Sequence, residues 1–119
     1  MLKKILITGG EGQLGKLLCS NLYNKYNILS TSKNISKSQR LYKSLNMDIS
    51  SKDIVFNIIN SFKPDIIINC AAYSNVDSCE KNKKKSHSIN VDGLRNIIDI
   101  APKSTFIIHI STDYIFDGN

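Results

Sequence analysis

The 119 residues suffice for one domain around one hydrophobic core and not for two. An apolar fraction of 41% and a charged fraction of 22% describe an ordinary globular chain, and no apolar run approaches the roughly 20 residues of a membrane helix. The net charge of +6 suits an anionic partner, but no basic face with stacking aromatics points to nucleic acid.

In chain order, Leu2 to Thr8 is apolar and β-branched and predicts a first strand rather than a signal peptide, so a cytoplasmic protein is expected. Leu14, Leu17, Leu18 and Leu22 recur at helical spacing. Tyr26 to Thr31 predicts a second strand. Residues 32–47 are polar, with a short helix expected near Gln39 to Leu45, and Met47-Asp48-Ile49 is expected as a short third strand. Ser50 as N-cap, with Asp53 in the first turn, opens a helix carrying Ile54, Ile58 and Phe62 on one face; Pro64 closes it. Asp65 to Cys70 contains Ile66-Ile67-Ile68, a run suited to a strand covered on both faces. Residues 78–101 predict a helix, broken near Lys83, with Ile89, Leu94, Ile97, Ile98 and Ala101 as its buried stripe. Its lysine-rich stretch Lys81 to Lys85 reads as a solvated face. Phe106 to Ile110 is the last strand.

Strands separated by helices run parallel. The expected fold class is therefore α/β: a Rossmann-like, doubly wound sheet of order 3-2-1-4-5 that fills residues 1–119. Ligands of such sheets bind at the carboxyl ends of the strands, where strand order reverses. Cys19, Cys70 and Cys79 form no C-x-x-C pair, and neither His87 nor His109 has a partner at metal-ligand spacing, so no metal site is expected. Cys19 and Cys70 read as packing residues, and His109 as a hydrogen-bonded core or edge histidine.

The most informative stretch is Thr8-Gly9-Gly10-Glu11-Gly12-Gln13-Leu14-Gly15. It follows an apolar strand and opens an amphipathic helix, the context in which G-x-x-G-x-x-G binds a dinucleotide. Gly9 permits the tight turn, Gly12 leaves room for the pyrophosphate, and Gly15 allows close helix packing. The free N–H groups near Gln13 and Leu14 then meet the phosphates. No G-K-[ST] follows, which excludes a P-loop. No acidic residue lies between Glu11 and Asp48 to hold a ribose 2′-hydroxyl. Ser32 and Lys33 stand where a 2′-phosphate would sit, so NADP(H) is favoured, with NAD(H) the alternative.

Three further stretches extend the pattern: Asp65 to Tyr73, then Val76-Asp77 with Glu80, and Ser111-Thr112-Asp113-Tyr114-Ile115-Phe116-Asp117-Gly118. Together with the glycine turn they resemble the extended short-chain dehydrogenase/reductases, in the branch that reduces dTDP-linked 4-keto deoxysugars. The resemblance covers essentially the whole chain. It implies that Gly12, Gln13 and Leu14 meet the pyrophosphate and that Asp48 and Ile49 flank the adenine. It implies that Ala71, Ala72 and Tyr73 line the cofactor, and that Asn90 supports the site. Thr112 matches the catalytic hydroxyl residue and Asp113 a sugar contact. The substrate implied is a dTDP-sugar, used in cell-surface polysaccharide synthesis by a full-length form that could be a homodimer.

One departure stands out. The family uses a Tyr-x-x-x-Lys pair on the helix after the fifth strand, and none of the five tyrosines here has a lysine four positions on. The expectation is an N-terminal part of a longer enzyme, inactive alone. Two alternatives accompany it: another extended short-chain sugar-nucleotide epimerase or dehydratase, and a non-catalytic nucleotide-binding subunit of the methionine adenosyltransferase β type.

Overall fold

The apolar run near the start of the chain forms β1 (Lys4–Thr8), in which Ile5 to Thr8 are all buried, as a central parallel strand requires. The computed structural model describes residues 2–35, 41–70 and 83–110, with the backbone alone for 83–90. After β1 come α1 (Gln13–Leu22), β2 (Asn27–Ser32), β3 (Lys43–Asn46), α2 (Lys52–Phe62), β4 (Ile66–Asn69), α3 (Lys83–Ile100) and β5 (Phe106–His109). The strands pair in parallel in the order β3-β2-β1-β4-β5, the doubly wound order expected. Strand order reverses between β1 and β4, so that is where the carboxyl edge opens a crevice.

Register divides the core in two. Leu6 lies beside Leu29 and Ile67, and these share one cluster with Met47, Ile49, Val55, Ile59 and Ile97, under α2 and α3. Ile5, Ile7, Ile28 and Ile68 point the other way, onto Cys19 of α1. Each fully buried Leu or Ile contributes about 1.5–3 kcal/mol, against about 0.5–1.5 for a net hydrogen bond. The two clusters, more than the ladders of four- to six-residue strands, hold the sheet.

The third strand departs from expectation. Residues 43–46 are strand, not helix, and Met47-Asp48-Ile49 follows β3 instead of forming it. β3 is an edge strand with mostly exposed side chains, so it carries no apolar run to announce it. Met47 and Ile49 are apolar because they plug the core beyond the strand's end.

Helix faces shift in the same way. In α1 the buried positions are Gly15 and Cys19, with Leu18 and Leu22 half-buried, whereas Leu14 and Leu17 are exposed. In α2, Val55 and Ile59 are buried and Ile54 is exposed. The N-cap position is Ser51, one residue later than expected. The Ser50 hydroxyl and N–H instead both donate to Asp48 Oδ1. Lys63 ends α2 in the left-handed conformation, donating its N–H to Ile59 O at 2.8 Å just before Pro64. In α3, Ile97 is buried and Ile98 is 55% exposed, so Ile98 leaves the expected stripe. The expected break near Lys83 falls at the border of the described residues.

Candidate functional site

The turn from β1 into α1 is built by three glycines with separate tasks. Gly9 has φ 69°, a left-handed conformation that side chains disfavour. A Cβ on Gly15 would fall 2.1 Å from the Gly9 carbonyl oxygen and 2.7 Å from the Gly10 Cα. The helix therefore packs closely on the turn itself. A Cβ on Gly12 would meet only the Gly9 oxygen, at an ordinary 3.4 Å. The space over Gly12 is open.

A fourth glycine has a role the motif did not reveal. Gly10 is buried, and its N–H donates to Thr31 O at 2.9 Å, tying the turn to β2. A Cβ there would lie 1.8 Å from Ser30 Oγ.

These contacts aim the start of α1. Gly12 is the N-cap and provides no side-chain cap, and the first intrahelical bond runs from Lys16 N to Gly12 O at 2.9 Å. The N–H groups of Gln13, Leu14 and Gly15 thus face outward without an intrahelical acceptor. An uncapped helix start, with open space over Gly12 at the strand-order reversal, fits a phosphate-bearing ligand.

Beside it, β2 and β3 end together. Ser32 and Asn46 are register partners. Asn46 Oδ1 accepts from Ile35 N at 3.1 Å, which pins the segment carrying Lys33 to β3. Asp48 accepts from the Ser50 hydroxyl at 2.7 Å and the Ser50 N–H at 3.0 Å. The hydroxyl bond is the main cause holding the Asp48 carboxyl below its usual range; partial burial opposes it, and the backbone bond and the positive Lys33 add to it. The charge of Lys33 is thus felt by Asp48 at this tip. The Ile49 side chain belongs to the core, against Gly93 of α3, where a Cβ would fall 2.3 Å from Ile49 Cδ1. Only the backbone of Ile49 borders the tip, and its carbonyl accepts from Asn96 Nδ2 at 2.9 Å.

On the other side of the reversal, β4 and β5 end at Asn69 and His109. Asn69 is buried and accepts a hydrogen bond from the Thr8 hydroxyl. Its Nδ2 stands 3.1 Å from His109 Nδ1. Nothing in the composition singled out Asn69. Cys70 follows, and burial, then the neighbouring Cys19, pushes its thiol up to about 11. At neutral pH it is protonated and no nucleophile. Cys19 and Cys70 both pack in the α1-side cluster.

The structure thus brings Gly9, Gly12, Gln13, Leu14, Gly15, Ser32, Lys33 and Asp48 to one edge. Ala71, Ala72, Tyr73, Thr112 and Asp113 lie outside the described residues, as does the side chain of Asn90. Among the described residues no group of His, Cys, Asp or Glu could hold a metal ion, and no helix is long and apolar enough to cross a membrane.

Residues 3–119 match the family model described as the RmlD substrate binding domain. The chain is 41% identical over 118 residues to a dTDP-4-dehydrorhamnose reductase of Aggregatibacter actinomycetemcomitans, covering 97% of this chain and 36% of that protein. It is 31% identical over 117 residues to methionine adenosyltransferase 2 subunit beta of Danio rerio, covering 98% of this chain and 35% of that one. Among solved structures, dTDP-4-dehydrorhamnose reductase from Bacillus anthracis in complex with NADP is 35% identical with a TM-score of 0.67. That match covers 82% of this chain and 31% of the other. The chain spans about a third of the length of the curated relatives it matches.

Proposed function

This chain belongs to the RmlD substrate binding domain family, and from that premise we propose that it is the dinucleotide-binding part of a sugar-nucleotide reductase. The parent reaction is reduction of the 4-keto group of a dTDP-linked deoxysugar, dTDP-4-dehydrorhamnose to dTDP-rhamnose, with NADPH. The observation that carries this reading is the uncapped start of α1 beneath the open space at Gly12.

In this reading the N–H groups of Gln13 and Leu14 hold the pyrophosphate. Ser32 and Lys33 take the 2′-phosphate, while Asp48 and the backbone of Ile49 border the adenine. Ala71, Ala72 and Tyr73 line the path toward the end of β4. Bound there, the cofactor supplies hydride for the carbonyl carbon. Thr112 donates a hydrogen bond to the carbonyl oxygen, and Asp113 contacts the sugar. The likeness to a methionine adenosyltransferase subunit supports a second reading, in which the same cradle serves regulation without turnover.

Titration calorimetry with NADPH and NADH tests the cradle. A charge-assisted contact of about 1.5–3 kcal/mol to the 2′-phosphate predicts roughly tenfold or more tighter binding of NADPH. Lys33→Glu should reverse the order. Equal affinities in the unaltered chain would remove the assignment of Lys33, and absence of binding to either would remove the dinucleotide reading.

A further inference from the structure

Where β1, β4 and β5 end side by side, one buried amide joins all three. Asn69 is 2% exposed and lies in register between Thr8 and His109. All three side chains point to the face shared with α2 and α3, since they continue the alternation of Leu6, Ile67 and Ile107. The Thr8 hydroxyl donates to Asn69 Oδ1. That leaves Nδ2, which has only protons to offer, 3.1 Å from His109 Nδ1. The ring nitrogen must then accept, so the neutral imidazole carries its proton on Nε2. His109 is exposed and is the last residue of β5, at the carboxyl edge.

Two backbone bonds extend the same row: Cys70 N donates to Thr8 O at 3.0 Å, and Ile110 N to Asn69 O at 3.1 Å. Residues 71–73 and 111–113 follow this row directly in sequence. A buried amide costs free energy unless both of its ends are paired. A residue serving packing alone would be apolar there, as Ile66, Ile67 and Ile68 are.

We propose that Asn69 is a positioning residue: it holds His109 as the Nε2–H tautomer and, through that ring, sets the end of β5 against β4 under the nicotinamide half of the dinucleotide. The ligand half of this statement rests on the proposed function; the tautomer does not. The adenosine ribose falls at the end of β2 in such folds, so the other half of the ligand crosses toward β4 and β5.

Long-range proton–nitrogen NMR of the nucleotide-free 119-residue chain reads the tautomer, with His109→Phe assigning the signal against His87. The expected state is Nε2–H. Asn69→Asp should move the proton to Nδ1, because a carboxylate only accepts. An Nδ1–H ring in the unaltered chain overturns the proposal.

The second measurement compares NADPH with 2′-phospho-ADP-ribose, which lacks the nicotinamide. Asn69→Leu and His109→Phe should weaken NADPH about three- to tenfold and leave the fragment unchanged. His109→Asn, which keeps an acceptor near the Nδ1 position, should restore NADPH affinity. Equal losses for both ligands, or none for either, would make Asn69 a packing residue and overturn the positioning role. Should Asn69→Leu fail to fold, His109→Phe at the exposed edge carries the same comparison. If the chain binds neither ligand, the proposed function fails, while the tautomer still decides whether Asn69 orients His109.

Discussion

A single methyl group separates the glycines of the turn. On Gly12 it would enter open space, and on Gly15 it would enter the Gly9 carbonyl. Gly12→Val should therefore keep the fold, losing about 1 kcal/mol or less for a poorer N-cap, while abolishing dinucleotide binding. Gly15→Ala should cost about 1–3 kcal/mol or more by overpacking against backbone that cannot step aside. Urea unfolding beside calorimetric titration separates the two. A Gly12→Val chain that unfolds as readily as Gly15→Ala would show that Gly12 serves the fold as well as the ligand. The spacing of these glycines was legible in the sequence; their division of labour was not. Gly10 needs to be small because Ser30 of β2 lies against it, and nothing adjacent in sequence announces Ser30. Asn69 was hidden for a similar reason: its partners Thr8 and His109 are 61 and 40 residues away.

Elements were legible where one burial regime ran their whole length. β1 and β4 are interior strands, and their apolar runs announced both; the strand order followed from the alternation of strand and helix. β3 sits at an edge, so its polar residues read as part of a short helix, and the strand was assigned to the nearest apolar pair, Met47 and Ile49, which only follow it. Why Ile49 lies in the core shows in its contact with α3. Gly93 is buried, and a Cβ on it would fall 2.3 Å from Ile49 Cδ1 and 3.2 Å from Ile49 Cβ. A glycine inside an 18-residue helix is otherwise unfavourable by about 1 kcal/mol relative to alanine. Gly93→Ala should nonetheless destabilise the chain by about 1–3 kcal/mol, packing strain exceeding the gain in helix propensity. Combined with Ile49→Ala, which removes the obstructing atoms, Gly93→Ala should cost little more than Ile49→Ala does alone. Urea unfolding of the four members of this double-mutant cycle gives the coupling, expected between about 0.5 and 3 kcal/mol. Additive effects would mean that α3 approaches the sheet for some other reason.

At the scale of the whole molecule, the dinucleotide cradle and the chemistry it would serve are separable. The uncapped helix start, the open space at Gly12 and the tips of β2 and β3 lie within the described sheet, so nucleotide binding asks for little beyond it. Turnover asks for more. Proton donation by a positioned side chain contributes about 10²- to 10⁴-fold, and it requires a donor within hydrogen-bond reach of the substrate oxygen. None of the five tyrosines of this chain has a lysine four residues on. The chain also spans only about a third of the relatives it matches. At the outer end of the described sheet, Phe106 is 65% exposed and Ile108 is 37% exposed, an apolar face left without cover among the described residues. Such an edge favours self-association over a settled substrate pocket. The 119-residue chain should therefore bind NADPH and fail to oxidise it when dTDP-4-dehydrorhamnose is added. The measurement is absorbance at the reduced-nicotinamide band over many equivalents of substrate, with Thr112→Val in parallel. Absence of oxidation in both, with binding intact, is the expected result. Steady oxidation that disappears in Thr112→Val would show that this polypeptide completes the reaction itself, with Thr112 in contact with the carbonyl and the proton supplied from within these 119 residues.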